Sequence, residues 1–579
     1  MTNTKELANF IWSNADLLRG DYKQSDYGKV ILPLTILRRL DCVLEATKEN
    51  VLKKYEQVKN MNIQNLDPIL NKEAGYNFHN RSKFDFDKLI ADPNNIAANL
   101  RNYINGFSEE AREIMDQFNF DVQITILEDS NLLFMVLKRF QEVDLHPEKV
   151  TSMEMGYMFE ELIRKFSEIS NETAGEHFSP REVIKLMVNL LFLYDRDILT
   201  QKGVVKTMLD ICAGTGGMLS VAEEYMNQLN PDARLEVFGQ ELNPESYAIC
   251  KADMLIKGQN PSNIEKGNSL KSKDTPKQKG DQFKNQKFDY LITNPPFGVK
   301  WNKVAKEVQE EHDELGHGGR FGPGLPSKSD GSFLFLMSLI SKMKPEGSRL
   351  AIVFNGSPLF SGSPSSKKNE SSIRQWIIEN DLLEAVIALP DQLFYNTGIS
   401  TYIWILSNHK QPERRGKVQL INAVDSFEKM SKSLGNKRKE ISENQIDELT
   451  RIYGNFESGE FSKIFDNKDF GYYKVTVERP LRKNGKVVKD SKGKPKPDSS
   501  LRDTENIPLK ENIKDYMQRE VLPHVPDAWI DESKTKTGYE INFTKYFYEY
   551  KPLRSLQEIR ANILALEEET DNMVKKVIS

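Results

Sequence analysis

Residues 204–217 read Val204-Val-Lys-Thr-Met-Leu-Asp-Ile-Cys-Ala-Gly-Thr-Gly-Gly217, and Met218-Leu-Ser-Val-Ala-Glu-Glu-Tyr-Met226 follows directly. The first six residues predict a buried strand, the three glycines a tight turn, and the last nine residues a helix. Glycines in such a unit let the backbone approach a ligand closely. The third glycine of the dinucleotide fingerprint would fall at Leu219, and the chain has no Gly-x-x-x-x-Gly-Lys-Ser/Thr loop, so both phosphate-binding motifs are excluded.

Two acidic residues near this unit indicate the kind of ligand. Asp210 lies four residues before Gly214 and suits a ligand with a positive amine better than one with phosphates. Residues 235–240 predict the second strand, and Glu241 at its end has the position that usually binds ribose hydroxyls. A surface glutamate ahead of a helix is the alternative for Glu241. An amine together with a ribose points to S-adenosylmethionine as the cofactor.

A second motif, Asn294-Pro295-Pro296-Phe297, follows the apolar run 288–293, which predicts another buried strand. Asn offers an amide oxygen to an NH2 group, the two prolines remove two N–H donors, and Phe offers a flat face. Together these residues suit an amino group on a planar ring, such as N6 of adenine. Asn-Pro also begins ordinary turns, so the motif alone leaves both interpretations open.

The order of these motifs resembles that of the N6-adenine DNA methyltransferases, and most of all the modification (M) subunits of type I restriction–modification systems. Family-like segments include residues 10–20, 30–40 and 394–404, and the resemblance covers nearly the whole chain. It implies an enzyme that transfers a methyl group from S-adenosylmethionine to N6 of an adenine flipped out of double-stranded DNA, which protects host DNA from restriction.

The resemblance also implies residue roles. Residues 175–181 match the segment that wraps the methionine end of the cofactor, and Asn268, where many relatives carry Asp, matches the position near its adenine. Without the resemblance, Ser179 and Pro180 predict a helix start, as N-cap and first helical residue. The cofactor-binding residues expected from the resemblance are Glu176, His177, Phe178, Ser179, Pro180, Arg181, Asp210, Gly214, Thr215, Gly216, Gly217, Glu241 and Asn268, and the catalytic residues are Asn294, Pro295, Pro296 and Phe297.

The predicted strands and helices alternate from about residue 170 to 425, which is typical of an α/β fold with a doubly wound, Rossmann-like sheet. Within this region, the glycine-rich residues 301–330 predict a mobile loop that closes over the flipped base. The expected domains are an N-terminal helical domain at 1–165, the methyltransferase catalytic domain at 166–425, a C-terminal extension with a basic hairpin-like loop at 426–550, and a helix for subunit assembly at 551–579.

The composition indicates a globular cytoplasmic protein of two or three domains. The chain has 579 residues, of which 38% are hydrophobic and 28% charged. Three widely spaced cysteines favour a reducing compartment, and the chain shows neither a secretory signal nor an apolar run of membrane-spanning length, so we expect no membrane partner. The histidines show no ligand spacing, so we expect no structural zinc or other metal.

The net charge of −5 indicates weak DNA binding unless a partner or a local basic patch contributes. Residues 271–287 carry six lysines and two aspartates, and residues 482–496 carry seven Lys or Arg and one Asp around the hairpin-like Asn484-Gly485. Lysine-rich segments are most often solvated loops, so the sequence allows each segment to be either a solvated loop or a DNA contact.

Residues 556–577 predict a helix with apolar side chains at spacings of three and four, as in a coiled-coil seam or a helix packed on its own domain. The resemblance favours assembly: two M chains bind one specificity (S) subunit that reads the DNA sequence, and a restriction (R) subunit joins for cleavage. Three alternatives remain: a methyltransferase acting on protein glutamine, a scaffold without activity, and a self-contained enzyme with a recognition region after residue 425.

Overall fold

A computed structural model describes residues 2–170, 179–365, 368–395, 397–548 and 555–578. The predicted cofactor residues Glu176, His177 and Phe178 lie outside these described residues. The chain forms two compact units, Met1–Ile541 and Asn542–Ser579. Within the described residues, no helix combines the length and the apolar character that crossing a membrane requires.

The N-terminal part of the chain is helical, as predicted. The helix Gly28–Leu44 is buried along nearly its whole length, because apolar residues cover every face. Arg39 is buried within it, and its Nη1 donates to the carbonyl oxygens of Leu145 and Val150, which compensates part of the cost of burying its charge. The helices are α1 Thr2–Ser13, α2 Gly28–Leu44, α3 Lys48–Val58, α4 Asp67–Ala74, α5 Phe86–Ile90, α6 Ile96–Asn105, α7 Glu109–Gln117, α8 Phe120–Asp129, α9 Leu133–Gln141 and α10 Ser152–Ser170.

A large sheet forms the centre of the first unit, and every strand predicted from the sequence is found in it. In chain order the strands are β1 Val205–Asp210, β2 Arg234–Glu241, β3 Ile264–Lys266, β4 Tyr290–Thr293, β5 Arg349–Phe354, β6 Leu383–Ala388, β7 Tyr402–Ser407 and β8 Lys417–Asn422, then a separate hairpin of β9 Glu428–Leu434 and β10 Lys437–Glu440, and finally β11 Ser462–Asp466. The strand order is β11-β8-β6-β7-β5-β4-β1-β2-β3.

The sheet is parallel except at β7 and β11, which run antiparallel to their neighbours. The doubly wound pattern predicted from the sequence does not include the reversal at β7. The reversal follows from the connection between β6 and β7, in which the described residues form no helix. A parallel neighbour needs a crossover connection that carries the chain back along the sheet, and this connection lacks one.

Helices cover the sheet, as an α/β fold requires. The glycine turn after β1 leads directly into the helix Gly217–Leu229, whose N-cap Gly216 has a φ of 86°. Only glycine adopts such a backbone without strain. The helices of this region are α11 Arg181–Phe192, α12 Arg196–Leu199, α13 Gly217–Leu229, α14 Pro244–Ile256, α15 Ala305–Leu315, α16 Ser332–Ile340, α17 Ser357–Phe360, α18 Glu370–Glu379 and α19 Glu443–Asn455.

The predicted start of α11 is wrong by one residue. Pro180, not Ser179, is the N-cap, and its carbonyl accepts from the N–H groups of Val183 and Ile184. The Ser179 side chain makes no capping hydrogen bond, because its hydroxyl accepts from the side chain of Asn294 instead. A tertiary contact therefore replaces the local one that the sequence pattern favours.

The predicted mobile loop at 301–330 is instead built around helix α15. Trp301 and Phe321 are buried, and the Trp301 indole donates to the Ser327 carbonyl at 2.8 Å. Arg320 pairs with Glu311 at 2.7 Å and donates to the Ser269 carbonyl at 2.8 Å. The many glycines allow close turns between these anchored parts, so composition alone overstated the freedom of the segment.

The rest of the first unit is a small sheet in the order β15-β12-β16, with a two-stranded hairpin beside it. In the hairpin, Asn484 and Gly485 have φ values of 50° and 77°, which confirms the predicted turn. The second unit contains the C-terminal helix, which is also confirmed. The elements are β12 Gly471–Glu478, β13 Arg482–Lys483, β14 Lys486–Val487, β15 Asp503–Pro508, α20 Ile513–Tyr516, β16 Trp529–Tyr539, α21 Phe543–Tyr546 and α22 Leu556–Ile578.

Candidate active site

The two motifs found in the sequence meet at one edge of the sheet. Strands β1 and β4 are parallel neighbours, so the glycine loop after β1 and the Asn-Pro-Pro-Phe loop after β4 leave the sheet side by side. The chain turns to opposite sides of the sheet here, which is where α/β proteins bind ligands. A cavity of about 270 Å³ opens between the loops. Its lining includes the predicted residues Ser179, Asp210, Gly214, Thr215, Gly217, Glu241, Asn268, Asn294 and Pro296.

Five predicted residues do not line this cavity. Gly216 lies behind the loop, where a β-carbon would come within 2.8 Å of the Cys250 sulfur, so its role is to allow close packing. Arg181 stacks on the Tyr157 ring at 3.6 Å and lines a neighbouring cavity. The Phe297 ring packs edge-on against Phe394. The five residues are Pro180, Arg181, Gly216, Pro295 and Phe297.

The side chain of Asn294 is held in one orientation. Its Nδ2 donates to the Ser179 hydroxyl at 2.9 Å, and the residue is 7% exposed. Its Oδ1 is buried and accepts no hydrogen bond from the described residues. An unsatisfied buried acceptor costs about 1–3 kcal/mol. A ligand that donates a hydrogen bond to this oxygen would recover that free energy.

Asp210 is the buried carboxylate of the site, with 1% of its surface exposed. Its Oδ1 accepts from the Thr293 hydroxyl at 2.7 Å and from the Cys212 N–H at 2.9 Å. Burial raises the pKa of Asp210 to about 7, and the charge of Glu241 adds to this rise. A cation entering the cavity would favour the charged form, so the carboxylate suits a positively charged ligand group.

Glu241 has a second role beside the expected one. Its Oε2 accepts from the Gly214 N–H at 2.8 Å, and its Oε1 accepts from the N–H groups of Leu242 and Asn243 at 2.7 Å. The carboxylate therefore holds the glycine loop in place from the neighbouring strand. A ribose hydroxyl at this position would bind an acceptor that the backbone has already oriented.

Asn268 lies on the same cavity, in a turn after β3. Its Oδ1 accepts from the Leu270 N–H at 3.0 Å, which shapes the turn. The preceding Gly267 has no room for a side chain, since a β-carbon would come within 2.5 Å of the Gly280 carbonyl oxygen. The backbone therefore closes tightly around this side of the cavity.

Sequence reasoning missed two parts of the site. Phe335 of α16 lines the cavity, but its helix is apolar on every face and shows no periodicity that singles out one residue. Thr293 connects the two loops through its hydrogen bond to Asp210. The sequence does contain a signal for Thr293. It is the last residue of a predicted strand, directly before Asn294, and the last residues of neighbouring parallel strands lie side by side.

Taken together, the fold and the site define a methyltransferase of the S-adenosylmethionine-dependent class, with a doubly wound sheet, an antiparallel β7 and a glycine loop beside an Asn-Pro-Pro-Phe loop. The family model described as N-6 DNA methylase matches residues 151–483, and the model of the HsdM N-terminal domain matches residues 7–140. The chain therefore belongs to the N-6 DNA methylase family, within the type I modification subunits. It is an adenine-specific DNA methyltransferase.

One curated relative is similar over most of its length, and two solved structures share the fold. The methylase subunit of the type I restriction enzyme MjaIX from Methanocaldococcus jannaschii is 25% identical over 509 residues, which cover 84% of this chain and 83% of that protein. The type I methyltransferase subunit from Streptococcus thermophilus has a similar fold, with a TM-score of 0.62, 23% identity and coverage of 81% and 97%. A chain from a study of type I restriction–modification assembly gives a TM-score of 0.50 at 17% identity, covering 99% and 97%.

Proposed function

We propose that this chain transfers the methyl group of S-adenosylmethionine to N6 of an adenine that has flipped out of double-stranded DNA. The observation that carries the proposal is the Asn294 amide, which lines the same cavity as Asp210 and the glycine loop and whose buried Oδ1 has no hydrogen-bond donor among the described residues. The site thus combines an acceptor for an amino group with a carboxylate for a cation. Methyl transfer between two ligands requires both to bind side by side.

The residues of the cavity fit S-adenosylmethionine. Asp210 is positioned for the positive amine, since its buried charge has no basic partner among the described residues. Glu241 is positioned for the ribose, and Asn268 for the region of the cofactor adenine. When bound, the cofactor supplies a methyl group on a positively charged sulfur.

Asn294 and Pro295 would activate the base. The lone pair of adenine N6 is delocalised into the ring, so N6 is a weak nucleophile. If Asn294 Oδ1 and the Pro295 carbonyl oxygen each accept a hydrogen bond from the N6 amino group, the lone pair of N6 is drawn out of conjugation with the ring. Ser179 keeps the amide oxygen directed at the base because it occupies the amide nitrogen.

Base flipping costs a few kcal/mol, and stacking on an aromatic ring returns about 1–3 kcal/mol. Phe297 is half-buried and packs beside Phe394, and its ring is the one on which we expect the flipped base to stack. Because the two free energies nearly cancel, capture of the base depends on additional contacts to DNA. A separate specificity subunit is the expected source of most of them.

The assembly we propose has two copies of this chain on one specificity subunit that reads the target sequence, and a restriction subunit that joins for cleavage. The apolar side chains of α22 support this, because Leu556, Ile563 and Leu566 are 85%, 54% and 63% exposed. Burying them against helices of another chain would stabilise the complex by the hydrophobic effect. The cytoplasmic location expected from the cysteines stays a prediction.

The first test is transfer of labelled methyl groups to bacterial DNA that lacks adenine methylation. The chain is assayed alone and after co-expression with the proteins encoded beside it, and the product is analysed. N6-methyladenine that appears only with a partner supports the proposal in full. Site-specific methylation by the chain alone would overturn the role of the specificity subunit, and methylglutamine in protein would overturn the substrate.

A further inference from the structure

The two lysine-rich segments of the sequence differ in how their charges are used. In residues 271–287, Lys271 pairs with Glu307 at 3.5 Å, Lys279 pairs with Glu265 at 3.2 Å, and Lys284 donates to the Ser272 carbonyl at 2.7 Å. These lysines serve the internal structure of the methyltransferase core. The segment therefore has less free positive charge than its composition indicates.

Residues 480–497 form a different kind of structure, which we call the basic arm. It contains seven Lys or Arg residues and one Asp. Arg482 pairs with Asp527 at 3.0 Å, but none of the lysine side chains of the arm has an acidic partner among the described residues. All of these lysines are exposed: Lys483, Lys486, Lys489, Lys492, Lys494 and Lys496.

The basic arm is an ordered element and not a solvated loop. The hairpin β13–β14 closes through the Asn484-Gly485 turn, and the segment after it folds back along the arm. Backbone hydrogen bonds of 2.8–2.9 Å join Leu481 to Lys496, and Val488 to both of them. The backbone positions that carry the lysines are therefore fixed relative to one another.

This arrangement carries a cost in stability. Lys483 and Lys486 are directly opposite each other across the hairpin, and like charges in such a pair are destabilising. The one acid within the arm, Asp490, accepts from the backbone N–H groups of Lys492 and Lys494, which fixes its carboxylate in the turn. A folded arm with this excess of positive charge is suited to bind a polyanion, which would remove the repulsion.

The base of the small sheet lies at the edge of the main sheet that carries the active site. Helix α17 follows the end of β5, the neighbour of β4, and the Ile541 N–H donates to the Leu359 carbonyl of α17 at 2.9 Å. Arg374 is buried and bridges the carbonyls of Pro358 and Tyr539 at 3.1 and 2.8 Å. A β-carbon on Gly538 would lie 2.8 Å from the Pro364 ring.

Strand β12 runs from this end of the small sheet to the basic arm. Tyr472 pairs with Gly538 at the base, and six residues later Glu478 ends the strand, which at about 3.3 Å per residue is roughly 20 Å away. Glu478 is buried and accepts from Arg502 and Lys534 at 2.8 and 2.9 Å, which anchors the start of the arm. One strand of the small sheet thus connects the arm to the end of the main sheet that carries the active site.

We propose that the basic arm binds the phosphate backbone of double-stranded DNA beside the target base. The proposal rests on the proposed function, because it takes duplex DNA as the substrate. The arm would supply part of the extra binding that base capture requires. It would do so without reading the sequence, since lysines on phosphates position a duplex and do not identify its bases.

The test compares two triple variants of the full chain. The arm variant is Lys483→Gln, Lys486→Gln and Lys489→Gln. The control variant removes three exposed cations near the amino ends of strands, at the opposite edge of the main sheet: Lys202→Gln, Arg234→Gln and Lys417→Gln. Affinity for a non-specific duplex is measured by fluorescence anisotropy at several salt concentrations.

Each lost phosphate contact lowers the magnitude of the slope of log affinity against log salt concentration by about 0.9. For the three substitutions of the arm variant, we expect this slope to decrease in magnitude by up to about 2.7. The control variant is expected to keep the slope of the wild type. Thermal unfolding serves as the folding check: loss of the Lys483–Lys486 repulsion should leave the melting temperature of the arm variant unchanged or raised.

Equal slopes for the arm variant and the wild type would overturn the proposal. It would also be overturned if the arm variant keeps its DNA affinity and instead loses a co-purifying protein, because the arm would then bind an acidic partner. Methyl transfer in the co-expressed assembly separates this result from the proposed function. If the arm variant binds duplex DNA less well but the assembly methylates no adenine, the role of the arm is supported and the proposed function is contradicted. If methylation is normal and the salt slopes are equal, the proposed function is supported and the role of the arm is contradicted.

Discussion

Two buried carboxylates of the same sheet, Glu384 and Asp210, differ in what surrounds them. Glu384 lies at the amino end of β6, where it binds Arg349 at 3.0 Å and the Tyr453 hydroxyl, with Arg414 3.7 Å away. Burial alone would raise the pKa of Glu384, but the two arginines hold it below its usual value. Asp210 lies at the carboxyl end of β1, where no lysine or arginine of the described residues pairs with it, and burial raises its pKa to about 7.

The difference separates a structural carboxylate from one that is available to a ligand. The charge of Glu384 is neutralised by cations of the chain itself, so the group contributes to folding and is closed to other partners. Asp210 has hydrogen bonds but no cation among the described residues, and the same cavity is lined by Asn294, whose buried amide oxygen has no hydrogen-bond donor there. At the amino ends of the strands, the buried negative charge is thus balanced by arginines of the chain. At the carboxyl ends, we expect a bound cation to balance it.

The largest effect is expected for Glu384→Gln. Removing this charge leaves Arg349 and Arg414 buried without their counter-ion, which costs about 3–5 kcal/mol of folding free energy. Urea unfolding should show this loss, while cofactor affinity of the folded fraction stays at the wild-type value. An unchanged free energy of unfolding would show that the cluster does not depend on this charge.

Asn294→Ala should lower the methyl transfer rate by about a hundredfold or more, since a preorganised polar group at the reacting atom is worth this much. Stability should fall by no more than about 1 kcal/mol, because the variant loses one hydrogen bond to Ser179 but also removes an amide oxygen that has no partner among the described residues. Asn294→Asp is the matched control, as it keeps an acceptor of the same shape and should retain more activity than the alanine variant. Equal rates for the wild type and Asn294→Ala would remove Asn294 from the mechanism.

The affinity for S-adenosylmethionine should rise with pH. If the positive amine binds the charged form of Asp210, a pKa of about 7 predicts a roughly tenfold gain in affinity between pH 6 and pH 8. Calorimetric titration across this range measures the gain. Asp210→Asn should bind more weakly and without this pH dependence; a wild-type affinity that is flat with pH would contradict the amine assignment.

Without the cofactor, the same carboxyl makes folding stability fall as pH rises. The pKa of Asp210 is higher in the folded protein than its ordinary value of 3.8, so between pH 4 and pH 7 the folded state holds a proton that the unfolded state has released. The slope reaches about 1.4 kcal/mol per pH unit. Unfolding of the wild type and Asp210→Asn at several pH values isolates this contribution, which the variant should lack.

The smallest effect is expected for Ser179→Ala. Loss of the hydroxyl frees the Asn294 amide to turn, and one hydrogen bond of about 1 kcal/mol corresponds to roughly fivefold in rate. Ser179→Thr keeps the hydroxyl and should restore activity. The rate with both DNA and S-adenosylmethionine saturating is the informative quantity, because a role confined to cofactor binding would change the Michaelis constant for S-adenosylmethionine and leave this rate unaltered.

The sequence by itself determined six of the nine strands of the main sheet, the glycine turn, the Asn-Pro-Pro-Phe loop, the C-terminal helix and the Asn484-Gly485 hairpin, but not the strands β3, β8 and β11. Each of these is encoded in a few neighbouring residues, through periodicity, the conformational freedom of glycine or the rigidity of proline. Because parallel strands end at a common edge, the order of the motifs also indicated that the two loops meet.

Only the tertiary structure decided how the site is assembled and which charges are free. Ser179 and Asn294 are 115 residues apart, and Thr293 and Asp210 are 83 residues apart, so no local pattern relates them. The same holds for the antiparallel β7, the anchoring of residues 301–330 by Arg320, and the unequal pairing of the two lysine-rich segments. These features arise where distant parts of the chain compete for the same hydrogen bonds and charges, and that competition is settled only when the chain packs.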